Sequence, residues 1–536
     1  MPRLYDFEIV SNLSNNDHPI LEKDFIHMYS KYHSHLQQCI ENIHVSSTQM
    51  KFIKVYIGNN VEHSNTMNEE NTTMNITTTN TTTLNHEFEH HPHHKTCIGI
   101  IPITINSGHI HHQDGYNIFT LSPYHHYISY GRAELYINDH EINKYIIYGV
   151  ERVIDLFSKL LEYTKLDQVI IIGNLMLSTN LYDGDLYSRL DMYRELTCYL
   201  IAQYPQHVLM MRSLSIYSTI LQTLNDIGYQ SIPSRMIYVL NCHVNEHGND
   251  QLFLKKRDVK DDRKLLSKFT KQVYDIYSNQ DLLKVIENYD DTHNSKNDDH
   301  QISYHPWIHQ IVDIYNMLYI GKYSECNIKF TPTFIYETLS NNIIQYKCLY
   351  NRETQCIDGV IGYFIKSFPR NAIQHVPLLR NVTTATISSH GSSSSRMHDM
   401  NGTTTLNTTL NTTLNTTLNT TLNTTTTNPI TTSKNTSNIR IMTCPILGYR
   451  TTLDQKSIPL YRLLSALLLK QAQQENAFFN QSSGASKFKM NRGCVPCVEY
   501  SAFYNRHVSF MRRLPWNVLR FLLNVIAKPM MEYYQL

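Results

Sequence analysis

The amino-acid sequence predicts an α/β fold, with layers of mixed sheets flanked by helices. Apolar residues switch repeatedly between a period of two and a period near 3.6, which is typical of strands that alternate with helices. The first series contains strands at 168–177, 207–214 and 235–244 and helices at 148–163, 188–203 and 216–227. An amphipathic helical arm follows at 259–278. This alternation indicates a layered α/β architecture.

The same alternation resumes after the arm. The second series contains helices near 304–320, 331–341 and 459–475 and strands at 343–350, 357–367 and 439–448. Single domains mostly run about 100 to 200 residues, so a chain of 536 residues should form more than one. We therefore expect two α/β lobes, residues 1–250 and 251–536, joined by the helical arm.

Two segments rich in Asn and Thr interrupt this pattern, at about 61–95 and about 381–438. Such polar tracts bury too little apolar surface to offset chain entropy, so we expect both to be disordered. Strand-like sequence flanks each of them, with MKFIKVYIGN and TCIGIIPITI around the first and DGVIGYFIKS and IRIMTCPILGY around the second. The flanks predict hairpins whose loops have been enlarged by insertion, which loop-closure entropy tolerates.

The charge balance argues against chain-wide electrostatic binding of nucleic acid and leaves a local basic groove open. Lys and Arg number 47 and Asp and Glu 46, which leaves a net charge of +1, whereas nucleic-acid binders usually carry a clear basic excess. The sequence shows no signal peptide and no run approaching the roughly 18 apolar residues of a membrane span. We expect a cytoplasmic protein without a membrane partner, and the scattered cysteines suit a reducing compartment.

The segment NQSSGASKFKMNRGCVPCVEYSAFYNRH, at 480–507, admits three interpretations. Cys494 and Cys497 supply two of the four ligands of a structural zinc site, with His507 as a third, but no second CxxC follows. A redox pair would begin a helix, whereas CVEYSAF reads as a strand. We therefore predict no metal or redox site here. The histidine-rich stretches at 86–94 and 109–112 offer no fixed geometry for a dedicated site either.

The second interpretation is an anion-binding loop, and the third is an ordinary solvated turn. Small residues let the backbone approach a ligand closely, and clustered cations can hold a phosphate or carboxylate. The residues concerned are Ser482, Ser483, Gly484, Lys487, Lys489 and Arg492. Composition alone leaves both interpretations open.

The order of several segments between about 230 and 510 carries a family resemblance. The strand RMIYVLNCHV precedes the basic helix LKKRDVKDDRKLL, and IVDIYNMLYIGKYSECNIKFTPTFIYETL reads as a helix pair before the glycine-containing strand CIDGVIGYFIKS. The segment IPLYRLLSALLLKQAQQENAFFNQSSGASKFKMNRG closes the series. In this order the chain resembles the GNAT-like acyltransferases of the FemAB and peptidoglycan-bridge type. It departs from them at GYRTTLDQKSIPLYRLL, which lacks the glycines of the usual coenzyme A pyrophosphate turn.

The resemblance implies two tandem GNAT-like lobes and an N-acyltransferase that transfers an acyl or aminoacyl group to an amine. It implies that the 482–492 turn lines the active cleft, with its cations facing an anionic group. Glu499 and Tyr500 on the next strand are the acid/base candidates, and only one of them can face the cleft because adjacent strand residues point to opposite faces. The donor would be acyl-CoA or aminoacyl-tRNA, although the charge does not indicate tRNA, and the acceptor a small molecule or peptide amine. The missing glycines favour an alternative, a catalytically inactive binding protein on the same fold.

Overall fold

A computed structural model gives the fold over most of the chain. It describes residues 4–13, 24–31, 38–41, 43, 46–57, 95–108, 117–133, 144–182, 186, 189–215, 219–242, 251–293, 304–368 and 438–534. All of these belong to one compact unit, formed by Met1–Gln374 and Asn438–Leu536. A second unit, His375–Ser437, lies outside the described residues. The two predicted inserts, apart from their end residues, also lie outside them.

The described residues form one mixed sheet of twelve strands. The strands are β1 (Tyr5–Val10), β2 (Thr48–Ile57), β3 (Thr96–Asn106), β4 (Val169–Ile172), β5 (Val208–Ser215), β6 (Gln230–Asn241), β7 (Tyr274–Ser278), β8 (Gln345–Asn351), β9 (Cys356–Phe368), β10 (Ile439–Tyr449), β11 (Phe478–Asn480) and β12 (Val495–Tyr504). Their order is β1-β2-β3-β4-β5-β12-β6-β11-β10-β9-β8-β7. Neighbours are antiparallel except for the parallel pairs β4–β5 and β10–β11. The α/β fold class predicted from the sequence is confirmed.

Twelve α-helices accompany the sheet in the described part of the chain. They are α1 (Phe25–Lys31), α2 (Lys144–Tyr163), α3 (Leu190–Gln203), α4 (Thr219–Ile227), α5 (Arg257–Gln272), α6 (Asn279–His293), α7 (Pro306–Leu318), α8 (Pro332–Ser340), α9 (Leu460–Gln474), α10 (Ser486–Asn491), α11 (Phe510–Leu522) and α12 (Lys528–Tyr534). Three π-helical turns, His125–Tyr130, Tyr319–Tyr323 and Leu523–Ala527, adjoin α-helical segments. None of the described helices is long and apolar enough to cross a membrane.

The flanks of both inserts pair as hairpins, as predicted. β2 and β3 are antiparallel neighbours in which Ile53 faces Ile101. β9 and β10 are likewise antiparallel, with Ile365 opposite Met442. Each insert therefore connects two strands that are adjacent in the sheet.

The predicted helical arm at 259–278 was wrong at its carboxyl end. Helix α5 ends at Gln272, and the residues that follow form β7, which pairs with β8. Tyr274 is buried there and its hydroxyl donates a hydrogen bond of 3.1 Å to Asp358 Oδ2. This tertiary pairing overrides the helical period that continues into 273–278. The predicted strand at 168–177 is also shorter, because β4 ends at Ile172 and Gly173 takes a φ of +68°.

Strand β12 occupies the centre of the sheet, between β5 and β6. All eight residues of β5 are buried, as expected for a strand covered on both faces. A cluster on one side of this region includes Phe503 of β12 and Trp516 of α11, whose ring centroids lie 4.7 Å apart. A carboxyl-terminal segment thus packs within the amino-terminal half of the sheet. The domain boundary between residues 250 and 251 stays a prediction.

Candidate functional site: an apolar cavity with a polar floor

A cavity of about 410 Å³ lies between α2, the carboxyl-terminal helices and the sheet. Ligand pockets typically measure about 300 to 1,000 Å³, so its size suits a small molecule or one chain of a larger one. Its walls are largely apolar. Val150 and Ile154 of α2 form one side, and Leu522, Ile526 and Met530 form the other.

Two π-helical turns shape the cavity. His126 and Tyr127 belong to the turn His125–Tyr130, and Ile526 belongs to the turn Leu523–Ala527. π-Helical turns interrupt the regular hydrogen-bond ladder and occur frequently at functional sites. Both turns direct side chains into this one cavity.

The floor of the cavity is polar and carries a serine–histidine pair. Ser234 Oγ lies 3.1 Å from His126 Nε2, and both residues line the cavity. Burial first, and then the positive charges of Arg212 and Arg235, hold the pKa of His126 well below its usual range. The imidazole is therefore neutral near pH 7, and its Nε2 can accept the serine proton.

A buried carboxylate fixes the segment that carries His126. Asp167 accepts a hydrogen bond from the Ser122 hydroxyl and one of 2.8 Å from the Tyr124 backbone N–H. Both donors lie at the beginning of the helical segment, where backbone N–H groups have no intrahelical acceptor. Burial raises the pKa of Asp167 to about 6.

Arg235 forms the cationic part of the floor. Its Nε donates to Glu499 Oε1 at 2.8 Å, and its Nη2 donates to the Ser178 carbonyl at 2.6 Å and to Thr179 Oγ1 at 2.7 Å. Its side chain is 12% exposed, whereas that of Glu499 is 2% exposed. The guanidinium thus joins β6, β12 and the segment after β4 at the cavity.

Two β-bulges bring these groups together. Opposite β12, the partner of Glu499 is Arg235 while the partner of Tyr500 is Pro233, so Ser234 is the extra residue on β6. On the other side, β5 accommodates one extra residue between Met211 and Leu214. Bulges commonly re-aim side chains next to active sites. The β6 bulge lies opposite Glu499 and Tyr500 and the β5 bulge lies opposite Tyr500 and Ala502, so Ser234 and Arg212 flank β12 within about one residue of each other along the strand.

Arg212 lies behind the cavity wall. It is 2% exposed, its Nη1 donates to the Thr120 carbonyl at 3.1 Å, and its guanidinium carbon lies 5.5 Å from the centroid of the Phe119 ring. Phe119 lines the cavity. Burial first, and then the positive charge of the neighbouring Arg235, lower the pKa of Arg212 to about 10. Arg212 remains a cation at neutral pH.

The small-residue turn predicted from the sequence reaches the cavity. Ser483 and Gly484 line it, whereas Ser482 precedes them and pairs through its carbonyl with the Tyr238 N–H of β6. Gly484 has a φ of +77°, and a Cβ built on it meets no atom within 4 Å. Ser482 and Ala485 also take positive φ, of +57° and +51°. The turn therefore presents two of the predicted small residues at the floor.

The cations of that turn have internal partners. Lys489 is 5% exposed, and its Nζ donates to the carbonyls of Gln481, Ser482 and Ser483 at 2.7, 3.2 and 2.7 Å. This lysine holds the turn from inside. Its predicted role as a ligand contact stays a prediction.

Arg492 is likewise internal. It is 3% exposed, and its Nε donates to Asp262 Oδ2 at 2.7 Å. Its Nη1 donates to the Phe488 carbonyl at 2.8 Å, and the guanidinium carbon lies 3.2 Å from the Phe488 ring centroid. Lys487, by contrast, is exposed. Contact between either residue and an anionic ligand stays a prediction.

The two predicted acid/base candidates have different environments. Glu499 is buried beside Arg235 at the cavity floor. Tyr500 is half-buried against the apolar cluster that contains Leu196 and Leu224. Glu499 is thus the candidate adjacent to the cavity, and its carboxylate is already engaged in the ion pair with Arg235. A catalytic role for either residue stays a prediction.

The CxxC cysteines are buried and reduced. Burial raises the pKa of Cys494 to about 12 and that of Cys497 to about 11, which disfavours the thiolate that metal binding and redox chemistry require. Cys494 Sγ instead accepts a hydrogen bond of 3.0 Å from Gln481 Nε2. The described residues contain no group of three or more His, Cys, Asp or Glu that could hold a metal ion. The histidine-rich stretches at 86–94 and 109–112 lie outside them.

Four polar residues of this region were not predicted from the sequence, namely His126, Arg212, Ser234 and Arg235. Two signals could have found three of them. Arg212 interrupts the otherwise apolar strand HVLMMRSL, and Pro233 lies within a strand, where proline marks an edge or a bulge. His126 carries no comparable signal, because its role depends on the distant Ser234.

Comparisons with known proteins give weak similarities. No protein-family model and no curated protein match the chain. Among solved structures, the chain is similar to L-PGS from Bacillus licheniformis, with a TM-score of 0.30, 8% identity and coverage of 59% of this chain and 72% of that one. It is also similar to the C-terminal DUF2156 domain of a protein from Agrobacterium fabrum described as a lysylphosphatidylglycerol synthetase, with a TM-score of 0.33, 8% identity and coverage of 62% and 77%. A functionally unknown conserved protein from Staphylococcus epidermidis matches with a TM-score of 0.24, 9% identity and coverage of 63% and 84%.

Similarities of this size leave the family and the activity to be argued from the residues themselves. The resemblance to GNAT and FemAB enzymes stays a prediction.

Proposed function

We propose that the protein is an acyltransferase and that the cavity binds the apolar chain of one of its substrates. The observation that carries this proposal is that the hydrogen-bonded Ser234–His126 pair lines an otherwise largely apolar cavity of about 410 Å³. Such a cavity desolvates a chain, while the polar floor positions the reacting group. The transferred group is acyl or aminoacyl, and its donor is acyl-CoA or aminoacyl-tRNA.

The residues at the floor can move the proton that acyl transfer requires. The acceptor nitrogen or oxygen forms a bond to the acyl carbon, and the bond from that carbon to the leaving sulfur or oxygen breaks. Neutral His126 takes the acceptor proton at Nε2, directly or through the Ser234 hydroxyl, and returns it to the leaving group. Arg235 lines the same cavity and can stabilise the negative charge that develops on the acyl oxygen.

Filling the cavity tests the proposal. A Cβ built on Gly149 of α2 meets no atom within 4 Å, so Gly149→Leu should enter the cavity without a backbone clash. The substitution also replaces a helical glycine, which should stabilise the helix by up to about 1 kcal/mol. We expect wild type to bind decanoyl-CoA more tightly than acetyl-CoA, and Gly149→Leu to lose that difference while keeping its melting temperature.

A matched control and a turnover assay complete the experiment. Gly321 is exposed outside the cavity, with its nearest neighbour, a carbonyl oxygen, 3.8 Å from a built Cβ, so Gly321→Leu should leave binding unchanged. With hydroxylamine as the acceptor, wild type should release free CoA from decanoyl-CoA or form the hydroxamate from aminoacyl-tRNA. Ser234→Ala should slow the active reaction and leave donor binding intact. If wild type bound decanoyl-CoA and acetyl-CoA with equal affinity, and Gly149→Leu did the same, the assignment of the cavity as the site of the apolar chain would be refuted.

One observation favours a binding protein as a second candidate. The Glu499 carboxylate is committed to Arg235, so it does not offer a free general base in the structure described here. A binding protein would show the chain-length preference and its loss in Gly149→Leu, but no product with either donor and no effect of Ser234→Ala.

A further inference from the structure

Two guanidinium groups, the buried one of Arg212 and the mostly buried one of Arg235, lie in the field of one carboxylate at the cavity floor, that of Glu499, which pairs directly with Arg235. Arg212 is 2% exposed, the Arg235 side chain is 12% exposed and the Glu499 side chain is 2% exposed. The imidazole of His126, which lies beside both arginines, is neutral. The charged groups of this cluster in the described chain therefore leave one positive charge in excess. A buried charge without a counter-charge is costly, because the interior cannot replace the lost hydration.

Both arginines retain donors without acceptors. The contacts of Arg235 use Nε and Nη2, and within the described residues Nη1 makes no hydrogen bond. The Nε of Arg212 is buried and has no acceptor there either. Arg235 lines the cavity, so a ligand at the floor can accept from its free nitrogen. Arg212, which lies behind Phe119, adds its positive electrostatic potential at the cavity floor.

We infer that the ligand of the cavity is an anionic amphiphile, with a carboxylate or phosphate group against Arg235 and Ser234 and an apolar chain between α2 and the carboxyl-terminal helices. The anion supplies the missing counter-charge, and the walls supply the desolvation of the chain. The apolar chain of the ligand would extend from the sheet towards the helices, because the apolar lining residues Val153, Leu522 and Ile526 all lie on the helices and not on the sheet. This inference rests on the proposed function only in that the cavity must bind a chain.

Chain-matched probes separate the charge from the chain. Decanoate and decyl phosphate are anionic, 1-decanoylglycerol is neutral and decyltrimethylammonium is cationic, and all carry chains of similar length. We expect calorimetric titration to show the two anions binding about tenfold to a hundredfold more tightly than the neutral probe, as one charge-assisted hydrogen bond provides. The cation should bind most weakly. The ratio between decanoate and decyl phosphate tells which of the two head groups the floor prefers.

Two variants test the source of the preference. Arg212→Gln removes a charge that does not line the cavity, so it should reduce the anion preference about tenfold and leave the affinity of the neutral probe unchanged. Glu499→Gln removes the competing carboxylate and should increase the preference, which keeps the inference testable if Arg212→Gln fails to fold. Gly149→Leu should abolish the binding of every chain.

The outcomes distinguish this inference from the function on which it rests. Equal affinity for anionic and neutral probes would overturn the anionic ligand and leave the chain-binding cavity intact. Absence of binding by all four probes would overturn both. Binding of inorganic phosphate as tightly as decyl phosphate would show a site for the free anion and would overturn the amphiphile.

Discussion

Replacing Arg492 by alanine should lower the free energy of unfolding by about 3 kcal/mol. Removing one partner of a buried ion pair typically costs about 3 to 5 kcal/mol, because the other charge remains buried. The lower end applies here, since Asp262 also accepts a hydrogen bond of 2.7 Å from Arg462 Nε and so keeps one cation. The lost bond to the Phe488 carbonyl is part of the same effect.

Urea denaturation followed by circular dichroism measures this loss as a shift of the midpoint. Asp262→Ala should be at least as destabilising, because it leaves two guanidinium groups without their shared carboxylate. The double variant should be less destabilised than the sum of the two single variants, by about 0.5 to 3 kcal/mol. Arg257→Ala is the control, since Arg257 is 93% exposed and lies 3.7 Å from Asp261, and its loss should change stability by less than about 0.5 kcal/mol. Wild-type stability in Arg492→Ala together with weakened binding of decanoate would refute this reasoning and support the role of Arg492 as a ligand contact.

Three further predictions concern the turn, the histidine segment and the cysteines. Lys489→Met should lower the melting temperature and weaken decanoate binding, because three carbonyls of the turn lose their donor, whereas Lys487→Met should change neither. Asp167 has a pKa of about 6 in the folded protein against 3.8 in the unfolded chain. Its contribution to stability is therefore complete below about pH 4 and is lost as the pH rises through 6. The melting temperature of Asp167→Asn relative to that of wild type should rise across this window, and a difference that does not change with pH would contradict this prediction. Cys494→Ser combined with Cys497→Ser should cost little stability, and mass spectrometry of intact wild type should find no stoichiometric zinc.

Local sequence patterns predicted most of the elements because each pattern depends on residues close in the chain. The predicted strand at 357–367 is β9, which is one residue longer at each end. The predicted helical arm was wrong at 273–278 because these residues pair with β8, and this contact between distant segments determines their structure. Periodicity contains no information about such a partner.

The candidate site could be predicted only in part, for a related reason. Small residues marked the turn at Ser483 and Gly484, and this turn does reach the cavity. The cations beside it suggested a ligand-binding role, but burial and hydrogen bonds direct Lys489 and Arg492 inward. A sequence shows that a lysine is near a turn, but it does not show whether three carbonyls of that turn point at it.

The polar floor depends on one topological feature, the position of β12 between β5 and β6. Glu499 lies more than 250 residues from Arg235 in sequence, and their 2.8 Å contact exists because these strands are neighbours. The bulges on β5 and β6 then place Arg212 and Ser234 on either side of β12, near Tyr500. If the positive excess serves an anionic ligand, as inferred above, the central place of β12 explains why a carboxyl-terminal strand belongs to this half of the sheet. Among the described residues, β12 supplies the carboxylate of Glu499, which offsets the repulsion between Arg212 and Arg235 while leaving the site cationic.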